Sequence, residues 1–149
     1  MTEVLFYHMT ESTLEDALPG LLERSLQRGW RVIVQTGTEE RRDALDQHLW
    51  TYRDDSFLAH GIDREPHAGD QPVLLTIGEG NLNAARIRFL VDGAAPPALG
   101  DYERAVFLFD GHDEQQLASA RDHWKAMKSA SHDVTYWQQT PDRRWECKA

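Results

Sequence analysis

Two hydrophobic patterns alternate along the first fifty residues. Residues 4–7 and 31–35 are short apolar runs, which are typical of buried strands. A predicted helix lies between them. A capping box that begins at Ser12 opens this helix, Pro19 predicts a kink or a restart within it, and Gly29 ends it. Its apolar positions follow helical spacing, at Leu14, Leu18, Leu21, Leu22 and Leu26.

A second helix follows the second strand. Thr38 is its predicted N-cap, and the helix is expected to run to about Trp50. Ala44, Leu45 and Leu49 are its predicted inward-facing positions. The order strand, helix, strand, helix is typical of an α/β domain with parallel strands.

Further strands and one more helix are predicted in the rest of the chain. Apolar runs predict three further strands, at residues 73–77, 87–91 and 105–109, and the fully apolar third run is predicted to be central. The last helix is expected from about residue 113 to residue 130, and residues 134–137 form a candidate edge strand. Residues 1–149 are interpreted as one domain, with a poorly ordered tail after about residue 141.

Composition then narrows the classes of function. The 149 residues carry a formal net charge of −9, and such a surface repels phosphate backbones, so strong direct DNA binding is not expected. The single cysteine, Cys147, cannot form an internal disulfide, which favours an intracellular protein. No apolar run approaches the length of a membrane span, and we therefore expect a cytoplasmic protein without membrane contact.

Catalytic, cofactor and metal sites are not supported by the residue types present. Nucleotide-binding α/β folds place glycines after the first strand, but residues 8–12 contain none, and the turn at 78–80 lacks a lysine. The histidines show no metal-ligand spacing, and no Gly-x-Ser-x-Gly elbow is present. The alternative of a nucleotide-dependent or hydrolytic enzyme stays open, because the same fold class hosts many functions.

The last helix carries one candidate binding surface. Arg121, Lys125 and Lys128 share a helix face because they lie at positions i, i+4 and i+7, and Trp124 lies beside them. A basic stripe with an aromatic side chain suits an acidic peptide that ends in a carboxylate. The alternative is a solvated charged face with Trp124 half-buried in the core.

The loop after the second helix carries another candidate surface. The apolar pair Phe57 and Leu58 stands between Ser56 and His60 in a polar segment, shortly after Trp50. The pair either folds back on the core as a lid or is exposed on the surface, where a partner protein binds it.

With these features the chain resembles the chi subunit of bacterial DNA polymerase III, an accessory protein of the clamp loader. The resemblance covers nearly the whole chain, including the apolar fifth strand and the basic last helix. It is sharpest where the family carries a Leu-Trp … Ser-Phe-x-Pro-His signature, which matches Leu49, Trp50, Ser56, Phe57 and His60, with Ala59 in place of the proline.

The resemblance implies an open, mainly parallel α/β sheet with helices on both faces, like a mononucleotide-binding fold without a phosphate loop. It implies a non-catalytic, cofactor-free subunit in DNA replication that bridges two partners, the psi subunit of the clamp loader and the acidic C-terminal tail of single-stranded DNA-binding protein. The implied tail-binding residues are Arg121, Trp124 and Lys125, extended by Lys128. The implied psi-binding residues are Trp50, Ser56, Phe57, Leu58 and His60.

Overall fold

The computed structural model describes residues 2–52 and 59–149. The described residues form eight strands and three α-helices, with a short 3-10 turn at Ala68–Asp70 before the fourth strand. In chain order the elements are β1 (Glu3–Met9), α1 (Leu14–Gln27), β2 (Val32–Gln35), α2 (Glu39–Thr51), β3 (Gly61–Ile62), β4 (Val73–Thr76), β5 (Ile87–Leu90), β6 (Arg104–Asp110), α3 (Glu114–Ser129), β7 (Asp133–Gln139) and β8 (Trp145–Cys147).

The strands of the described chain form one eight-stranded sheet in the order β3-β4-β2-β5-β6-β1-β7-β8. Every neighbouring pair is parallel except β7 and β8, which pair antiparallel. The predicted mainly parallel α/β sheet is therefore confirmed, and the apolar strand β6 lies inside it, between β5 and β1.

Helices cover both faces of the sheet, as expected. On one face, leucines of α1 and α2 such as Leu22 and Leu49 pack in one core cluster with sheet residues that include Val106. On the other face, α3 contributes Ala120 and Met127 to a second cluster. Consecutive strand residues alternate between the two clusters, as the pleat of a strand requires.

The ends of α1 match the predicted signals closely. Its N-cap is Thr13, whose side chain accepts from the Asp16 N–H at 3.2 Å, so the prediction of Ser12 is wrong by one residue. Gly29 ends the helix with a φ of +83°, in the left-handed conformation that glycine adopts most easily. Pro19 lies inside one continuous helix, and the predicted restart is therefore wrong.

Helix α2 begins at the predicted cap but buries a different set of residues. Thr38 accepts from the Arg41 N–H at 3.2 Å, and Leu45 and Leu49 are buried as expected. Ala44, however, is exposed, and the guanidinium of Arg42 is buried in its place. Arg42 keeps its charge in the core because its Nη1 lies 2.9 Å from the carboxylate of Asp63.

The far end of the sheet also differs from the prediction. Residues 134–137 do form a strand, but β7 is flanked by both β1 and β8 and is not the edge. The edge strand is β8, which lies in the tail that was expected to be poorly ordered after about residue 141.

Candidate functional site

The sheet has a topological switch point at the carboxyl ends of β1 and β6. These two strands are neighbours, but α1 leads away from β1 on one face and α3 leads away from β6 on the other. Ligands of open α/β sheets bind outside the strand ends at such a point. Gly111 lies there, and its missing side chain makes room for His8, because a β-carbon would lie 2.3 Å from the His8 Nε2.

The loop after β1 holds three backbone N–H groups where a phosphate-binding fold would present them to its ligand. The N–H groups of Thr10, Glu11 and Ser12 lie 3.1, 3.0 and 3.0 Å from one atom, the side-chain Oε1 of Gln139. Gln139 is buried and its Nε2 donates to the Ser12 hydroxyl at 2.9 Å. The chain thus fills its own anion-binding concavity with a neutral oxygen, which gives no support to the alternative of a nucleotide-dependent enzyme.

A groove of about 440 Å³ opens beside α3, near this switch point. We call it the α3 groove. Its walls combine aromatic side chains from three strands with two basic side chains from the helix. The lining residues are Phe6, His8, Phe109, Leu117, Ala120, Arg121, Trp124, Lys125, Tyr136 and Ala149.

The floor of the α3 groove is an aromatic cluster. Trp124 packs edge-on against Phe6, with ring centroids 5.4 Å apart and planes at 72°, and against Tyr136, at 5.9 Å and 86°. Phe6 in turn stacks on Phe107 at 4.6 Å. These two contacts hold the Trp124 ring in place as part of the groove floor, and the ring is only half-buried.

The rim of the α3 groove is positively charged. Arg121 and Lys125 are exposed, and neither forms an ion pair with the described residues. Lys128 does not line the groove, but its Nζ lies 5.0 Å from the Trp124 ring centre, within the range of a cation–π interaction. Three of the four predicted tail-binding residues therefore meet at one groove, and the fourth touches it through Trp124.

The strand residues of this groove were not predicted from the sequence. His8 Nδ1 lies 2.5 Å from the Tyr136 hydroxyl. Burial lowers the pKa of His8, His112 lowers it further, and Asp110 opposes both. Burial raises the pKa of Tyr136 against the opposing charge of Arg121. The available signal was the alternation along β1, which places Phe6 and His8 on the same face of the sheet.

The second candidate surface is described only in part, since Ser56, Phe57 and Leu58 lie outside the described residues. Trp50 is 49 % exposed at the end of α2, and its ring centre lies 4.3 Å from that of His60. His60 is buried, with its Nε2 3.1 Å from an Asp46 carboxylate oxygen. Burial raises the pKa of Asp46, and the charge of His60 opposes the shift. His60 therefore anchors the ring of Trp50, while Trp50 faces solvent.

Among residues 2–52 and 59–149, no three His, Cys, Asp or Glu side chains lie close enough together to hold a metal ion. The helices of the same segments are too short or too polar to form a membrane span.

Comparison with known proteins points to one family. A family model described as "DNA polymerase III chi subunit, HolC" matches residues 1–135. A "Probable DNA polymerase III subunit chi" of Rickettsia prowazekii is 24% identical over 91 residues, which are 61% of this chain and 55% of that protein. The "DNA polymerase III subunit chi" of Pseudomonas aeruginosa is 27% identical over 111 residues, 72% of this chain and 77% of the relative. The match thus spans about half the length of the Rickettsia protein.

Proposed function

This chain belongs to the DNA polymerase III chi subunit family of replication accessory subunits, and from that premise we propose that it bridges two partners in the replication machinery. One proposed partner is the acidic C-terminal tail of single-stranded DNA-binding protein, bound in the α3 groove. The other is the psi subunit, bound at the end of α2 and the loop that follows. The bridging role involves no chemical step by this chain.

The α3 groove is the observation that carries the first half of this proposal. An acidic tail that ends in an apolar residue needs an apolar pocket beside positive charge. The floor formed by Phe6, Trp124 and Tyr136 provides the pocket, and Arg121 and Lys125 provide the charge. The chain has a net charge of −9 and as a whole repels an acidic peptide. The local positive charge of the groove therefore directs such a peptide to this part of the surface.

The proposed contacts within the groove follow from this geometry. The apolar terminal side chain enters the floor between Phe109 and Trp124, and the carboxylates meet the guanidinium of Arg121 and the ammonium of Lys125. Arg121 offers a planar fork that holds a carboxylate through two parallel hydrogen bonds. It is therefore the proposed anchor, and Lys125 and Lys128 act mainly through their charge.

The tail proposal is tested by the fluorescence anisotropy of a labelled acidic peptide that ends in Pro-Phe-carboxylate. We expect micromolar affinity that weakens as salt increases. Arg121→Ala should cost about 1–3 kcal/mol of binding free energy, as anchor residues do. Arg64→Ala, which removes an exposed arginine elsewhere, is the matched control and should leave affinity unchanged. Equal affinity in both variants would rule out this groove as the tail site.

The psi half of the proposal is supported by the partly exposed ring of Trp50 and its buried support, His60. Ser56, Phe57 and Leu58 extend the proposed surface. Trp50→Ala should reduce capture of psi at least tenfold with little change in the melting temperature, because the ring is about half exposed. Leu82→Ala removes an exposed apolar side chain elsewhere and is the control. A fall in melting temperature without loss of psi capture would show that Trp50 is only structural.

A further inference from the structure

A second groove runs along α1, on the sheet face opposite the α3 groove. It consists of two adjoining cavities of about 380 and 250 Å³, which share Leu21 and Arg24 as lining residues. We call the pair the α1 groove. It follows α1 from the region of Ser12 to that of Arg28, so it is long enough to take a short peptide segment.

The α1 groove exists because the helices leave part of this face of the sheet uncovered. Helix α1 packs towards β2 and β6, so Tyr7 of β1 and Trp145 of β8 form the opposite wall. Ile87, Phe89 and Val106 line the bottom of the larger cavity. These side chains are apolar, and a bound side chain that reaches them is removed from water.

The charge of the α1 groove is opposite to that of the chain as a whole. Three arginines line the larger cavity, Arg24, Arg28 and Arg104, and no carboxylate does. Arg143 and a single carboxylate, that of Asp16, line the smaller one. The whole chain has 25 acidic and 16 basic residues, so four arginines against one aspartate reverse the overall balance.

Most of these arginines carry charge that the described chain does not neutralise. Arg24, Arg28 and Arg143 form no ion pair within the described segments, whereas Arg104 lies 2.6 Å from the carboxylate of Glu3. Burial raises the pKa of Tyr7 in the larger cavity, and the charges of Arg104 and Arg24 oppose this rise. The groove therefore attracts an anionic ligand.

The aromatic contacts distinguish a peptide from a nucleic acid. Single-stranded nucleic acid binds aromatic side chains by stacking its bases on open ring faces. Tyr7 and Trp145 stack on each other, with centroids 4.5 Å apart and planes at 19°. This stacked pair forms one wall of the groove. The apolar bottom of the groove suits a peptide side chain better than a base.

We propose that the α1 groove is a second docking site, which takes an acidic peptide segment of a partner protein with at least one large apolar side chain. Its carboxylates meet Arg24, Arg28 and Arg143, and the apolar side chain enters the larger cavity beside Tyr7. This site faces away from the α3 groove, and the inference does not rest on the tail or psi proposals.

The test is a selection of random 12-residue displayed peptides on the full chain. The α3 groove is first disabled by Arg121→Glu with Lys125→Glu, so that it does not capture the acidic peptides itself. We expect enrichment of peptides with a net charge of about −3 or lower that contain Leu, Phe or Trp. Each selected peptide is then resynthesised with an amidated C-terminus and titrated against variants and against an oligothymidylate of 15 nucleotides.

Arg24→Glu with Arg28→Glu should weaken these peptides at least tenfold, while Arg86→Glu, at an exposed arginine outside the groove, should not. Circular dichroism spectra and melting temperatures establish that each variant is folded. The proposal is overturned if no peptide is enriched, if the selected peptides are not acidic, or if the Arg24 and Arg28 variant binds them as well as the parent. The groove would instead be assigned to nucleic acid if the parent bound the oligothymidylate more tightly than the peptides and the Arg24 and Arg28 variant lost that binding.

Discussion

Gln139 is the single residue that most clearly distinguishes this fold from nucleotide-binding α/β folds. Its side-chain oxygen accepts hydrogen bonds from three consecutive backbone N–H groups. In a nucleotide-binding α/β fold, a phosphate accepts hydrogen bonds from the N–H groups of this loop. Backbone donors that converge in this way must find a partner, because a buried N–H without one is costly. In the sequence, the only sign that a phosphate site is missing was the absence of glycine at residues 8–12. The role of Gln139 could not be predicted, because it lies at least 127 residues from the N–H groups that it accepts from.

Gln139→Leu should therefore lower the free energy of unfolding by about 2 kcal/mol, since it strands three N–H groups that water reaches only in part. The measurement is urea denaturation followed by circular dichroism. Gln138→Leu removes the adjacent amide of β7 and should change stability by no more than about 0.5 kcal/mol. Equal effects of the two substitutions would show that the three bonds contribute nothing beyond an ordinary glutamine on this strand.

Among elements, the contact between α1 and α2 depends on an irregularity inside α1. Pro19 has no N–H, so the carbonyl of Glu15, four residues earlier, loses its helical partner. His48 of α2 compensates, because its Nε2 donates to that carbonyl oxygen at 2.7 Å. The proline that interrupts the sequence pattern thus frees the carbonyl that accepts the hydrogen bond from His48.

A double-mutant cycle tests this compensation. His48→Ala should cost about 1 kcal/mol in the parent, where the Glu15 carbonyl is left without a partner. In a Pro19→Ala background the restored N–H of residue 19 satisfies that carbonyl, so His48→Ala should cost about 1 kcal/mol less. The free energies of unfolding of the four proteins give the coupling. Additive losses would contradict the proposed role of His48.

The long elements were predictable from the sequence and the short ones were not. Helical spacing and caps located α1, α2 and α3, because these signals are local. Strand β3 has two residues and β8 has three, and such strands are defined by their neighbours, β4 and β7. The burial of Arg42 was missed for the same reason, since its partner Asp63 lies in a distant loop.

For the whole molecule, the sheet separates two charged grooves. The α3 groove was predictable through its helix residues, Arg121, Trp124 and Lys125, because their spacing places them together. Its strand residues, such as His8 and Tyr136, are brought to α3 only by the order of the strands in the sheet. The α1 groove left no local pattern in the sequence, since its arginines come from α1, β6 and the turn before β8.

The proposed function requires this member of the chi family to bind single-stranded DNA-binding protein through the tail of that partner. It is tested most directly by calorimetric titration of the full chain with intact single-stranded DNA-binding protein and with a form that lacks its last few residues. We expect micromolar binding of the intact protein and at least tenfold weaker binding of the truncated one. Equal affinity for both forms, or no binding of the intact form, would contradict it.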